Sequence, residues 1–309
     1  MRVCYTPEYY VALPDGHPFP MGKYPALFAI LQHEGLVRDE EVIEPHEAEW
    51  QDILLVHTAE YLGALAAGSL DRQAERRLGF PWTAALLRRS RLAVQGTIDA
   101  ARLALQHGIA ANLAGGTHHS FSDHGEGYCV LNDVAVSTRV IQRSHGVRQV
   151  LVVDLDVHQG NGTASIFRDD PSVFTFSVHG ERNYPLRKEL SSCDVGLPDG
   201  VGDDEYLCAL EQHLAPVFSR ARPDMVFYLA GVDAAAGDRH GRLSLTREGI
   251  GRRDRFVLEE CRRQGIPLVL VLAGGYASSP EATADLHAMV HRESRAVFGG
   301  SVTNSLPLL

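Results

Sequence analysis

Positive charge is scarce along this chain: 29 lysines and arginines face 39 aspartates and glutamates, leaving a formal net charge of −10. A sequence-independent grip on phosphate backbones needs a basic surface, so direct binding of nucleic acid is not expected. Cysteine is sparse too. Cys4, Cys129, Cys193, Cys208 and Cys261 are scattered and odd in number, with no CxxC pair among them, a usage that fits reduced thiols in the cytoplasm. Long apolar runs are missing: the longest, Leu268 to Ala273, is far too short to cross a bilayer, and the opening MRVCYTPEYY lacks the basic and apolar stretches of a signal peptide. The expectation is a cytoplasmic protein without membrane contact. Ser/Gly linkers, charge blocks and internal repeats are also absent, so one continuous domain over residues 1–309 is the better reading. With 45% hydrophobic and 22% charged residues, that domain can bury a sizeable core.

Apolar, β-branched runs at Arg2–Tyr5, Val150–Leu155, Val173–Val178, Met225–Ala230 and Leu268–Leu272 alternate with longer helical patterns. Because these runs are apolar throughout, they predict a mostly parallel sheet covered on both faces, and hence an α/β fold. His107-Gly108, His145-Gly146 and Gln264-Gly265 place glycine where a left-handed helix cap is wanted, each before a strand-like run. Asp203, Asp204 and Glu205 put negative charge at the amino end of a helix over 206–220. Polar or glycine-rich segments follow the runs at 114–129, 154–162, 177–180, 230–238 and 273–277. In parallel sheets ligands bind beyond the carboxyl ends of the strands, so the five segments predict one shared site.

Asp154, Asp156 and His158 alternate with Leu155 and Val157, which in an extended backbone sends all three to one side. Carboxylates next to an apolar run are costly to bury unless paired or bound to a cation, and Asp233, ending another apolar run, is the best further ligand. Two carboxylates and a neutral imidazole suit a divalent ion and leave a coordination position open, the mark of a catalytic zinc. The adjacent His118 and His119 can supply a base and an acid, and Tyr276, after Gly274-Gly275, can donate to a developing oxyanion.

Together these residues resemble the zinc-dependent histone deacetylase family, which includes acetoin-utilization proteins and acetylpolyamine amidohydrolases. The likeness runs from TPEYY, HPFPMGKY and VHTAEYLGAL to the AGGYA turn, and DLDVHQGNG with GDRHGRLSLT is most similar to class IV deacetylases and their bacterial relatives. It implies a three-layer α/β/α sandwich around a mostly parallel, about eight-stranded sheet of the arginase/deacetylase type. It also implies hydrolysis of N-ε-acyl-lysine in proteins or peptides to lysine and a carboxylate, with Zn²⁺ or Fe²⁺ as the metal. Carried over by motif, Asp156, His158 and Asp233 are the metal ligands, His119 the general base and acid, His118 its electrostatic partner, and Tyr276 the carbonyl-polarising group. Asp154 orients His118, and Asn161 stands behind His119. Asp154 and Ser177, with the carbonyls of Asp156, His158 and Val178, resemble an inner K⁺ site; the carbonyls of Phe167, Asp170 and Val173 resemble part of a second. Gly127, Tyr128 and Tyr184 match the walls of a substrate tunnel, and Lys23 and Thr117 the floor of the acyl pocket.

Three departures from the family pattern bear on function. Asn161 stands where many members carry aspartate, and a neutral partner raises the His119 pKa less than a carboxylate would. Thr117 replaces a frequent bulky aromatic, and Lys23 a frequent arginine, predicting room for an acyl group longer than acetyl. The YPLRKE stretch lacks a glycine that often follows its proline. The same catalytic set serves amidohydrolases of acetylpolyamines or other small acylated amines, so that substrate class stays open beside acyl-lysine. A non-catalytic acyl-lysine reader would need a lost ligand, base or tyrosine, and none is missing.

Overall fold

A computed structural model describes residues 1–299; positions 300–309 of the expected domain lie outside the described residues. The strands are β1 (Arg2–Cys4), β2 (Val42–Ile43), β3 (Ile109–Asn112), β4 (Val150–Asp154), β5 (Val173–Gly180), β6 (Cys193–Leu197), β7 (Met225–Leu229) and β8 (Leu268–Val271). They form one sheet in the order β2-β1-β3-β8-β7-β4-β5-β6. Every neighbouring pair is parallel, so the expected mostly parallel sheet is wholly so. The helices are α1 (Lys23–His33), α2 (Trp50–Ile53), α3 (Ala59–Ala67), α4 (Arg72–Leu78), α5 (Ala84–His107), α6 (Asp133–Ser144), α7 (Asn161–Phe167), α8 (Asp203–Ala221), α9 (Arg247–Gln264) and α10 (Pro280–Phe298). None of them is long and apolar enough to cross a membrane.

Strand pleating divides the core into two layers. On β4, Val150 and Val152 pack with Ala100, Ala101 and Ala104 of α5 and Val134 and Ala135 of α6. Leu151 and Val153 join Leu210 and Leu214 of α8 and Val257 and Leu258 of α9. Successive strand side chains point to opposite faces, so an unbroken apolar run is what a doubly covered strand requires. Each fully buried Val or Leu contributes roughly 1.5–3 kcal/mol. The result is the expected α/β/α sandwich.

The helix-ending glycines adopt the left-handed backbone read from the sequence, with φ of 84° at Gly108, 72° at Gly146 and 67° at Gly265. Two details differ. Asp203, Asp204 and Glu205 form the first turn of α8 instead of preceding it. The 177–180 segment is the end of β5, not a loop after it.

Candidate active site

The polar segments meet at the carboxyl ends of β3, β4, β7 and β8, where a cavity of about 40 Å³ is lined by His118, His119, Asp156, His158 and Tyr276. Extended alternation does not bring the candidate ligands together, because β4 ends at Asp154. Beyond it the chain turns through carboxylates that accept backbone N–H groups two residues on: Asp156 N donates to Asp154 Oδ1 at 3.2 Å, and His158 N to Asp156 Oδ1 at 2.9 Å. Such side-chain-to-backbone turns are what aspartate favours. Val157 N then donates to Asp233 Oδ1 at 2.8 Å, pinning the loop after β7 to the loop after β4.

Asp156, His158 and Asp233 are buried, and one ligand atom from each lies within 4.8 Å of the others. His158 Nδ1 is 3.0 Å from Asp156 Oδ1 and 3.1 Å from Asp233 Oδ2. Burial, and then the charge of Asp156, push the Asp233 carboxyl up to about 7. Two facing carboxylates in a dry site resist a second negative charge, and a divalent cation removes that conflict. The donor set therefore fits a metal. Gly274 crosses directly above: its N–H donates to Asp156 Oδ2 at 2.6 Å, and a Cβ there would sit 2.1 Å from Asp233 Oδ2. Only a residue without a side chain allows that approach.

The two adjacent histidines lie in a turn with ring centroids 4.1 Å apart. Their loop is clamped by buried Asp133 at the start of α6, which accepts from Gly116 N at 3.1 Å, Thr117 N at 2.8 Å and Thr97 Oγ1 at 2.6 Å. His118 Nδ1 is 2.7 Å from Asp154 Oδ2, and His119 Nδ1 is 2.6 Å from Asn161 Oδ1. Burial pulls both imidazoles down, but the charges of Asp154 and Asp156 outweigh it at His118 and lift that ring to about 9. At His119 burial prevails, helped by the charges of His118 and His158, and the ring is held well below the ordinary range. Neighbouring groups driven apart in this way divide into a charged partner and a neutral base. Burial and the charges of Asp233 and Asp156 keep Tyr276 protonated, and its backbone N–H is held by Asp238 Oδ2 at 2.6 Å.

The mouth is aromatic. Residues 126–129 form a tight turn closed by Glu126 N to Cys129 O at 3.2 Å and Cys129 N to Glu126 O at 2.9 Å, with φ of 55° at Gly127 and 67° at Tyr128. A positive φ at a tyrosine costs on the order of 1 kcal/mol. The turn is held by Gly127 N to Arg77 O at 3.1 Å and Tyr128 N to Leu78 O at 2.8 Å. A Cβ at Gly127 would lie 2.7 Å from His119 Cδ2. Tyr128 packs 5.3 Å from the ring of Phe19, and Tyr184 stands edge-on to His119 at 4.9 Å between centroids.

The remaining candidate residues fall as follows. Asp154 and Ser177 are cross-strand partners on β4 and β5, and Ser177 Oγ is 2.9 Å from His179 Nδ1. Val178 follows Ser177 in β5. The Phe167 and Asp170 carbonyls accept from Asp170 N at 3.1 Å and Val173 N at 3.2 Å. Thr117 lines the cavity, but Lys23 does not; Arg89 and Tyr24 do. Lys23 is buried with its Nζ 2.9 Å from the Ala273 carbonyl, so it braces the loop after β8 instead of forming a floor. The expected roominess is absent too. A site of about 40 Å³ holds a few waters at roughly 10–15 Å³ each, and the Thr117 hydroxyl is turned away to Leu131 O and Asp133 Oδ1. Phe19, Arg89, Glu126 and Asp238 were not singled out from the sequence. Asp238 lies in the GDRH segment, Phe19 in HPFP and Glu126 in the glycine-rich 114–129 segment, so those three had a signal.

Comparison with known proteins identifies the family. A family model described as the histone deacetylase domain matches residues 17–292. An uncharacterized protein of Picosynechococcus sp. is 46% identical over 296 residues, covering 96% of this chain and 99% of that protein. Histone deacetylase 2 of Arabidopsis thaliana is 31% identical over 299 residues, covering 90% of this chain and 75% of its own. The crystal structure of the HDA15 HD domain superposes with a TM-score of 0.79 at 26% identity, covering 97% of this chain and 91% of the other. From residue 17 to residue 292 the match is continuous, and the chain belongs to the histone deacetylase family.

Proposed function

We propose that this protein is a zinc-dependent deacetylase that hydrolyses N-ε-acetyl-lysine in proteins or peptides. The observation that carries the reading is the convergence on one small cavity of His118, His119, Tyr276, Asp156 and His158, with Asp233 buried against the last two. Asp156, His158 and Asp233 would hold the ion, which when bound supplies a Lewis acid for the carbonyl and acidifies water. The chain's own groups do the rest. His119, neutral and with Nδ1 turned to Asn161, offers Nε2 to take the proton of the attacking water and return it to the leaving amine. His118, charged against Asp154, stabilises negative charge that develops on the acyl carbon's oxygens. Tyr276 donates a hydrogen bond from its phenolic hydroxyl to the carbonyl oxygen. Tyr128, Phe19 and Tyr184 line the approach for the lysine methylenes and exclude water. A K⁺ ion beside Asp154 and Ser177 would brace the end of β4, on which the ligand loop hangs.

The cavity volume favours acetyl over long acyl chains. Release of free amine by the purified, zinc-loaded protein should therefore be fast from acetyl-lysine peptide and slow from octanoyl- or myristoyl-lysine. Tyr276→Phe should lose about 10²–10³ in kcat and His119→Ala about 10²–10⁴. Turnover confined to acetylpolyamines would move the substrate to small amines, and no turnover with zinc bound would sink the enzymatic reading.

A further inference from the structure

Glu126 belongs to none of the ligand or acid–base motifs, yet one of its oxygens joins the mouth to the proton-transfer histidine. Its Oε1 accepts from Asn161 Nδ2 at 2.6 Å and from the Tyr184 hydroxyl, while Oε2 lies 3.8 Å from His124 Nε2. Burial alone would raise this carboxyl, but the nearby His124 ring and the hydrogen bonds from Tyr184 and Asn161 hold it below the usual range, so it stays an acceptor.

A carboxylate has no proton to give, so the Asn161 amide must turn its NH₂ to Glu126 and its carbonyl to His119. That carbonyl can only accept, so the proton sits on His119 Nδ1, 2.6 Å away, and Nε2 presents a lone pair to the cavity. The two orientations of an asparagine amide are nearly identical in shape, and only hydrogen-bond partners separate them. With Glu126 gone, the amide hydrogens are better satisfied by turning to His119, which puts the ring proton on Nε2 and removes the base.

We propose that Glu126 is a positioning residue: it sets the Asn161 amide and thereby the tautomer of His119, while the same oxygen tethers Tyr184 across from that ring. Its catalytic consequence rests on the deacetylase reading; its effect on the tautomer does not.

The test is a double-mutant cycle on the full chain, with ¹⁵N-histidine NMR beside kcat for acetyl-lysine peptide. Wild type should show His119 protonated on Nδ1. Glu126→Ala should show a mixture of tautomers and a fall in kcat of roughly tenfold, the factor set by one hydrogen bond, with zinc content unchanged. Glu126→Gln keeps an acceptor oxygen and should keep the wild-type tautomer. In an Asn161→Asp background a carboxylate faces His119 from either orientation, so adding Glu126→Ala should cost nothing further. An equal loss in both backgrounds would mean that Glu126 only braces the 126–129 turn. A wild-type tautomer in Glu126→Ala would overturn the proposal whatever the activity, whereas an inactive wild type with the expected tautomers would overturn the deacetylase reading alone.

Discussion

Beyond the end of β4, Asp156 and His158 sit in turns each closed by a carboxylate two residues away. At the mouth, Gly127, Tyr128 and Tyr184 are placed by distant partners: Arg77 and Leu78 for the turn at 126–129, and Glu126 for Tyr184. The candidate ligands are also buried, whereas Tyr184 is 39% exposed and neighbouring Leu186 92%. Groups just beyond strand ends are held by a rigid scaffold, and groups on exposed loops are held less tightly. If this division is real, damage should shrink from floor to mouth and change in kind, from lost metal to altered KM.

Asp233→Asn should do the most. The amide keeps an oxygen for Val157 N but loses the second carboxylate of the ligand set. Turnover should fall below detection. Zinc at about a hundredfold excess over its Kd should stabilise the wild type by about 2.7 kcal/mol, and this gain should vanish in the variant, as read by thermal unfolding with and without chelator. A variant that still gains stability from zinc would place the ion elsewhere.

Gly127→Ala joins the two regions. The added methyl would meet His119 Cδ2 at 2.7 Å, on a residue whose φ of 55° already disfavours a side chain. Displacing the ring by an ångström costs on the order of 10² in rate, so kcat should fall by about that factor while zinc content holds. Asp154→Asn should cost less, about 10–100-fold: the amide oxygen can still accept from His118, while the charge and the acceptor for Asp156 N are lost.

The same contrast explains what the sequence could show. β4, β7 and β8 read clearly because both faces of each are largely apolar, β5 because its Val173–Val178 run is rich in Phe and Val, and the 154–158 pattern because its turns are local. β3, with sequence IAAN, was marked only by Gly108, since alanine favours helix over strand. β6, CDVGL, alternates partly buried and exposed positions up to Leu197 at the sheet edge, and β2 is two residues long. Neither carries a run to detect. The role of Glu126 within the 114–129 segment, and Arg89, were hidden for another reason. Each acts through partners far along the chain, Asn161 and Tyr184 for one and the Tyr9 carbonyl for the other, and no periodicity encodes such pairs. Lys23 misled because its place in the chain matched a floor residue, while its ammonium reaches the Ala273 carbonyl.

The smallest effect sharpens the comparison most. Tyr184→Phe removes the hydroxyl that donates to Glu126 but leaves the ring that stands edge-on to His119. Asn161 still donates to the same carboxylate, so the histidine tautomer and the proton transfer should be untouched. What loosens is the wall of the approach, and one hydrogen bond at a half-exposed site amounts to a two- to threefold change at most, about 0.5 kcal/mol. KM for acetyl-lysine peptide should rise by that factor with kcat constant. A fall in kcat as large as that of Glu126→Ala would mean that the tyrosine, not the asparagine, carries the coupling. Mouth and floor would then be one mechanical unit, linked through a single carboxylate oxygen, and the graded series from Asp233 to Tyr184 would give way to two classes of residue, those joined to Glu126 and those joined to the metal.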